Sequence, residues 1–225
     1  MAQNSHISKG LAITLVIVLL GLIAVAIYFS QFPQTHPPTL LYPSEVRNYQ
    51  GENLSSVANV YENAIKGTQY LNASTYRLTI TGLVNQTVEF TYDQIVNDFP
   101  KYQKVVTIYC VEGWNAKILW EGVLVDDLLS RAGVKSSAVG AIFYASDSYS
   151  TELPLDYLHS HNILLAYKMN NITIPPERGF PFELVSESQY GYKWIKWVTG
   201  IELTSNPNYL GYWESRGYPN NATLR

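Results

Sequence analysis

The chain has 225 residues, 47% of them hydrophobic and 15% charged, with a formal net charge of −3. That composition excludes the disordered, fibrous and disulfide-rich classes, and the lack of a basic block argues against nucleic acid as the main partner. The length suits a membrane anchor plus one sizeable domain.

The first predicted element is the run Leu11–Phe29, which carries neither charge nor proline. At about 1.5 Å per residue it matches the hydrocarbon core of a bilayer. Lys9 precedes it and no Lys or Arg follows until Arg47. That asymmetry places residues 1–10 in the cytoplasm, makes 11–29 a single-pass transmembrane anchor, and puts the rest outside. A cleaved signal peptide is the alternative, but "YFSQFPQTHPP" offers no convincing small-residue cleavage site. Five Asn-x-Ser/Thr triplets, at Asn53, Asn72, Asn85, Asn171 and Asn221, fit an exported domain. Residues 30–69 are expected to form an extracytoplasmic spacer. It opens with four prolines in the thirteen residues "QFPQTHPPTLLYP", and its part from Ser44 to Ile65 has a polar, helix-compatible pattern.

The domain proper is expected over 70–225. Tyr76, Leu78 and Ile80 alternate with polar residues, the period of a half-buried strand. Thr91 with Gln94 forms a capping-box pattern for a short helix that Pro100 ends. "KVVTIYC" is strand-like, and "VLVDDLLSRAGV" is a helix closed by Gly133. "AIFYASD" is a strand and "LPLDYLHSHN" a short helix. "ILLAYKMNN" and "FPFELVS" are strands around the loop "ITIPPERG". "YKWIKWVTGIELT" is a strand pair or one bent strand. The alternation of strands and short helices predicts one α+β domain.

Cys110 is the only cysteine. It cannot form a disulfide within its own chain, so it is a buried hydrophobe, an intermolecular link, a reactive thiol or a metal ligand. An apolar strand delivers it to a loop with Glu112, Gly113 and Trp114, a junction where sites are often placed. His159 and His161 form a His-x-His pair that, with Cys110 and Met169, raises the alternative of a copper electron carrier. The order and spacing of these residues do not suit such a site. A serine hydrolase elbow and a phosphate-cradling glycine loop are both missing.

Five ordered blocks resemble the sulfite oxidase-like family of molybdopterin-binding oxidoreductases, in the branch near the periplasmic methionine-sulfoxide reductase catalytic subunit. They are "YRLTITGLV" with "FTYDQIVNDFP", "YCVEGW" with "WEGVLVDDLL", "LAYKMNNITIPPERGFPFELV", "YGYKWIKWVTGIEL" and "YWESRGY". The resemblance implies a mixed-sheet fold with short helices and a molybdenum-molybdopterin cofactor, with tungsten as the other candidate metal. It implies Cys110 as the metal ligand, Glu112 as a catalytic acid, and Val111 and Trp114 beside the cofactor. It further implies a phosphate-holding block of Gly191, Tyr192, Lys193 and Lys196. On a strand the two lysines would face opposite sides, and Lys193 is the expected phosphate ligand. Arg178 stands where the family often has a histidine and can donate to phosphate. Glu183 stands where the family often has an arginine, and a carboxylate cannot replace that cation. Asn170 and Asn171 replace a turn that usually carries glycine, which is tolerable because Asn accepts positive φ. The arginine expected after the cysteine in a true sulfite oxidase is missing.

The function these readings imply is oxygen-atom transfer on an S- or N-oxide, as a small molecule or within a protein. With no Cys-x-x-Cys-His and no iron–sulfur spacing, electrons would pass to or from a haem- or quinone-linked membrane partner. A non-catalytic binding module that keeps the fold is the alternative.

Overall fold

The computed structural model describes Thr14, residues 16–23 and residues 44–224. Two units divide the chain, Met1–Thr39 and Leu40–Arg225. In the first, Thr14 and residues 16–23 are helical. Most of the expected anchor, the 1–10 segment and the proline-rich stretch lie outside the described residues. Among the described residues no helix is long and apolar enough to cross a membrane.

The second unit is built on two five-stranded sheets. In one, β4 (Val88–Thr91), β3 (Arg77–Gly82), β12 (Val198–Thr204), β7 (Gly140–Ala145) and β8 (Ser150–Pro154) lie in that order. Only the β12–β3 pair in it is parallel. In the other, β10 (Ile172–Thr173), β9 (Leu164–Met169), β6 (Asn115–Leu124) and β5 (Tyr102–Tyr109) follow one another, and β11 (Glu183–Val185) also pairs with β9. A small hairpin, β1 (Asn48–Tyr49) with β2 (Glu52–Asn53), precedes both.

The short helices fall where capping chemistry put them. In α1 (Tyr92–Asp98), the Thr91 side chain accepts from the Gln94 N–H while the Gln94 side chain accepts from the Thr91 N–H. Gly133 ends α2 (Val125–Ala132) in the left-handed conformation, and α3 (Leu155–Ser160) follows β8 directly. The structure is therefore the mixed-sheet α+β domain that was expected. All five sequon asparagines are exposed.

Three expectations are corrected. The longest strand, β6, has no counterpart in the sequence reading, nor has β8. The charged Lys117 and Glu121 interrupt β6, while its core side carries Ala116, Ile118 and Trp120, all buried. Residues 191–197 are a 3-10 turn (Gly191–Lys193) and a connector, and strand geometry starts only at Val198. The stretch 44–65 is neither helix nor free spacer. It forms the β1–β2 hairpin and a 3-10 turn (Val57–Asn59), with Val57 fully buried in the core beneath β5 and β6.

Asn170 explains how that stretch docks. It is fully buried and adopts positive φ, 47°, at the end of β9. Its Oδ1 accepts from the Leu119 N–H (3.0 Å), and its Nδ2 donates to Glu45 Oε1 (2.9 Å) and Ser55 O (2.8 Å). Glu45 in turn accepts from the Val57 N–H at 2.7 Å and the Ser56 hydroxyl at 3.1 Å. One amide thus ties the segment leading into the core to the central strand β6. Asn170→Ala leaves a buried N–H, carbonyl and carboxylate without their partner. Urea denaturation should show a loss of about 3 kcal/mol, with release of residues 45–59 visible as new proteolytic cleavage there.

Candidate functional site

β5 and β6 pair residue for residue from Tyr102–Gly122 to Tyr109–Asn115. Their connection is the tight loop Cys110–Trp114. The Cys110 N–H donates to Trp114 O (2.9 Å), and the Gly113 N–H donates to Cys110 O (3.1 Å). Gly113 has φ +93°, a conformation that L side chains rarely adopt. The loop lines a cavity of about 460 Å³, the size range of a small-molecule or cofactor site. Residues 60–65, the β7–β8 turn, the stretch around 191–197, and Tyr212, Trp213 and Tyr218 supply the other walls.

Cys110 is half-buried. Asn63 Nδ2 approaches its Sγ at 3.5 Å and donates to Glu112 Oε2 at 2.9 Å. Burial pushes the thiol up from its ordinary value. The N–H groups of Glu112 and Val111 and the Trp114 indole oppose that rise, while the Glu112 charge adds to it. The Trp114 indole N–H is buried without a hydrogen-bond partner in the protein, yet lies close enough to favour the thiolate. Its ring packs on Tyr61 at 5.4 Å between centroids. Val111 is exposed at the rim of the cavity.

The two lysines diverge, but in the reverse sense to the expectation. Lys193 is the buried one, 1% exposed, and is not among the cavity-lining residues. Its Nζ pairs with Glu214 Oε1 (2.6 Å) and donates to Asn220 Oδ1 (3.0 Å) and Glu152 O (3.1 Å). The 3-10 turn directs it inward, so it clamps the C-terminal segment instead of facing a ligand. Lys196 lines the cavity, donates to the Glu62 carbonyl and lies 4.5 Å from the Trp197 ring centroid. Burial lowers its basicity, and the charges of Glu183, Glu62 and Asp147 partly restore it.

Gly191 and Tyr192 line the cavity as well. A Cβ on Gly191 would stand 3.6 Å from Cys110 Cα, so this backbone runs against the thiol loop. Tyr192 is buried, with its hydroxyl on Pro219 O. Arg178 does not line the cavity. Its Nε and Nη2 donate to Val57 O (3.1 Å) and Ala58 O (3.3 Å), so it braces the docked segment.

The residues that the sequence reading missed are Asn63, Glu62 and Asp147, together with Glu183 as a cavity group. The first two lie in the stretch taken for spacer, where only the folded structure reveals a site. For Glu183 the charge reversal at its position is the one signal that the sequence carries. His159 pairs with Asp126 at 2.9 Å and His161 stacks on Tyr157. Neither lines the cavity at Cys110, so they do not form a copper site with it.

A match to the family model described as the oxidoreductase molybdopterin binding domain covers residues 65–213. The chain belongs to this family. This molybdopterin-binding oxidoreductase is 36% identical over 150 residues to the uncharacterized oxidoreductase YuiH of Bacillus subtilis strain 168, covering 66% of the chain and 75% of that protein. It is 30% identical over 149 residues to the putative protein-methionine-sulfoxide reductase subunit YedZ1 of Azospira oryzae, covering 66% of the chain and 56% of that protein. The NADH nitrate reductase of Solanum lycopersicum is 29% identical over 180 residues, and the chain spans only 20% of it. Among solved structures, the sulfane dehydrogenase SoxCD from Paracoccus pantotrophus shares the fold, with a TM-score of 0.60 at 22% identity over 78% of the chain and 50% of that chain. The oxidoreductase is thus an enzyme of the sulfite oxidase-like family, and its cofactor is molybdenum-molybdopterin.

The site fits that cofactor. A soft thiol, the donor type that suits molybdenum, lines a cavity large enough for the pterin. Only one protein sulfur is needed, because the dithiolene brings its own. A lysine stands elsewhere in the lining, and two buried polar atoms, Trp114 Nε1 and Glu183 Oε2, lack protein partners.

Two outcomes test the division of labour. Removing Lys193 strands a buried carboxylate on Glu214, so Lys193→Met should cost about 3–5 kcal/mol in urea denaturation. Lys196→Met should cost much less. Glu152, buried beside the same pair, is pushed up to about 7 by burial and by Glu214, with Lys193 opposing. The folded state therefore holds this proton more tightly than the unfolded chain. Its stability contribution is greatest below about pH 4.5 and declines as pH rises through about 7. Glu152→Gln should abolish that decline and leave the variant about 2 kcal/mol more stable than the parent at about pH 8.

Proposed function

We propose that this chain is the catalytic subunit of a membrane-anchored, extracytoplasmic oxidoreductase that transfers an oxygen atom to or from an S- or N-oxide of the methionine-sulfoxide type. The observation that carries the reading is the placement of the single thiol on a tight hairpin loop that lines the cavity, with Glu112 beside it on Asn63. Similarity to a protein-methionine-sulfoxide reductase subunit supports the substrate class.

Cys110 Sγ is the metal ligand, and coordination takes the place of its proton. When bound, the cofactor supplies the two-electron exchange and the oxygen-atom transfer. Glu112, held by Asn63, is the acid that delivers or removes protons beside the thiol. Tyr61 and Trp114 form an aromatic wall that limits water there. Val111 borders the opening, and Gly191, whose backbone runs against the thiol loop, and Tyr192 would line the cofactor's bed. Lys196, not Lys193, is the cation facing the cofactor's phosphate, while Arg178 acts from behind by bracing the wall.

The anchor is the apolar run 11–29, and the exposed sequons accord with an exported domain. Electrons pass to or from a haem- or quinone-linked membrane protein, since the chain's one cysteine cannot hold an iron–sulfur cluster. The anchor raises the effective concentration of that partner.

Protein isolated from cells that make the cofactor should contain about one molybdenum per chain, with tungsten as the control metal. Cys110→Ala should contain less than about a tenth of that while its thermal unfolding stays close to the parent's, since the thiol is half-exposed. Reduction of methionine sulfoxide by a dithionite-driven dye assay should follow the metal content. A metal-free parent chain would overturn the reading, and a metal-replete chain inert to every S- and N-oxide would overturn the reaction.

A further inference from the structure

Glu183 is a buried acid that the roles above leave unused. It lies on β11, is 2% exposed and lines the cavity. Its Oε2 is buried without a protein partner. The charges that act on it are Lys196 and Arg178. Glu62, from the docked segment, and Asp147, from the β7–β8 turn, act on Lys196 in turn. Two cations therefore face three carboxylates, and with all five ionised an entering anion meets a net negative surround.

We infer that Glu183 is a proton-coupled anion receptor: it takes up one proton from solvent when an oxyanion of the phosphate-ester class binds beside Lys196, and its Oε2–H then donates to that anion. Three physical points support this. An ionised carboxylate oxygen buried without a donor is costly, whereas a neutral acid in the same place needs only an acceptor. Burial already raises Glu183 above the ordinary carboxylate range, against the pull of Lys196 and Arg178. An anion arriving at Lys196 draws that lysine's charge to itself and repels a carboxylate across a poorly solvated gap, so it pushes the proton equilibrium further the same way. Identifying the anion as the cofactor's phosphate rests on the proposed function; the charge argument does not.

Sulfate is the probe, because it stays a dianion across the working range and does not itself titrate. Calorimetric titration uses the full chain, produced in cells that do not supply the cofactor. Sulfate affinity should be nearly level below about pH 7, where Glu183 already holds its proton, and weaken by up to about tenfold per pH unit above about pH 8, with about one proton taken up per ion bound at the alkaline end. Glu183→Gln should remove the slope and bind at least about tenfold more tightly than the parent near pH 9, and Lys196→Met should lose the ion at every pH. Thermal unfolding of each variant confirms that it is folded. An unchanged slope in Glu183→Gln, weaker binding by that variant at every pH, binding that survives Lys196→Met, or no sulfate binding by the parent would each overturn the inference. Its failure is separable from that of the proposed function. Molybdenum present with no slope sinks only the proton coupling, and a slope without molybdenum sinks only the cofactor reading.

Discussion

The β5–β6 ladder is the constraint from which the site follows. Eight consecutive antiparallel pairs leave the chain no freedom over where it turns. The turn falls on Cys110–Trp114 because Tyr109 opposes Asn115. A slip of one residue would move Ile108, Ala116, Ile118 and Trp120 from the core face to the outside. All four are buried, and Trp120 also donates from its indole to Val106 O at 3.2 Å. Core packing and the place of the thiol are thus one choice. The same strand, β6, receives Asn170, and through it the segment that carries Asn63 to the thiol and Glu112. A side chain on such a loop is held by a sheet, which positions it more firmly than a flexible connection does.

Another part of the cavity wall is organised by a buried ion pair. Lys193 and Glu214 sit 2.6 Å apart at 1% and 0% side-chain exposure. Thr151 adds a hydrogen bond to Glu214 at 2.7 Å, and Asn220 takes another from Lys193. Such a pair adds little net stability compared with apolar packing, but breaking it is costly. Its structural effect is to fasten the C-terminal segment to β8 and the Gly191–Lys193 turn. That segment carries Tyr212, Trp213 and Tyr218, which pack on one another and on Tyr149 and Tyr192. The aromatic wall therefore depends on a charge pair that never meets the ligand.

Local chemistry made much of this fold legible. Thr91–Gln94, Gly133 and the alternation at Leu78 and Ile80 each carry their own signal, and the structure has the corresponding cap, stop and strand. Asn170 and Asn171 do adopt positive φ. What local pattern could not supply was partnership. β6 is read poorly because its charged residues find partners on other elements, Lys168 on the neighbouring strand β9 for Glu121 and Glu52 on the β1–β2 hairpin for Lys117. The segment 44–65 looks like a solvated linker because its polar groups bond to Asn170 and Arg178, more than a hundred residues away. Lys193 and Lys196 do part company, but through a 3-10 turn and connector and not through strand alternation, and which one turns inward depends on Glu214, which only the tertiary structure brings near.

The electrostatics of the cavity bear on substrate choice as well as on the cofactor. Its lining includes Glu62, Glu112, Asp147 and Glu183, against Lys196 as the one cationic side chain among the described lining residues. Lys196 is already engaged by the Glu62 carbonyl and desolvated. With Lys196 committed to the cofactor's phosphate, as proposed, an oxyanion substrate such as nitrate or sulfite would approach Cys110 past Glu112 with no second cation among the described lining residues to receive it. A neutral S- or N-oxide meets no such repulsion, because its polar oxygen needs only hydrogen-bond donors and its remainder can lie on Tyr61 and Trp114. The charge pattern thus supports the same substrate class as the missing arginine in the cysteine loop. It does so from a different property of the chain, the acidity of the walls, which four separate segments contribute.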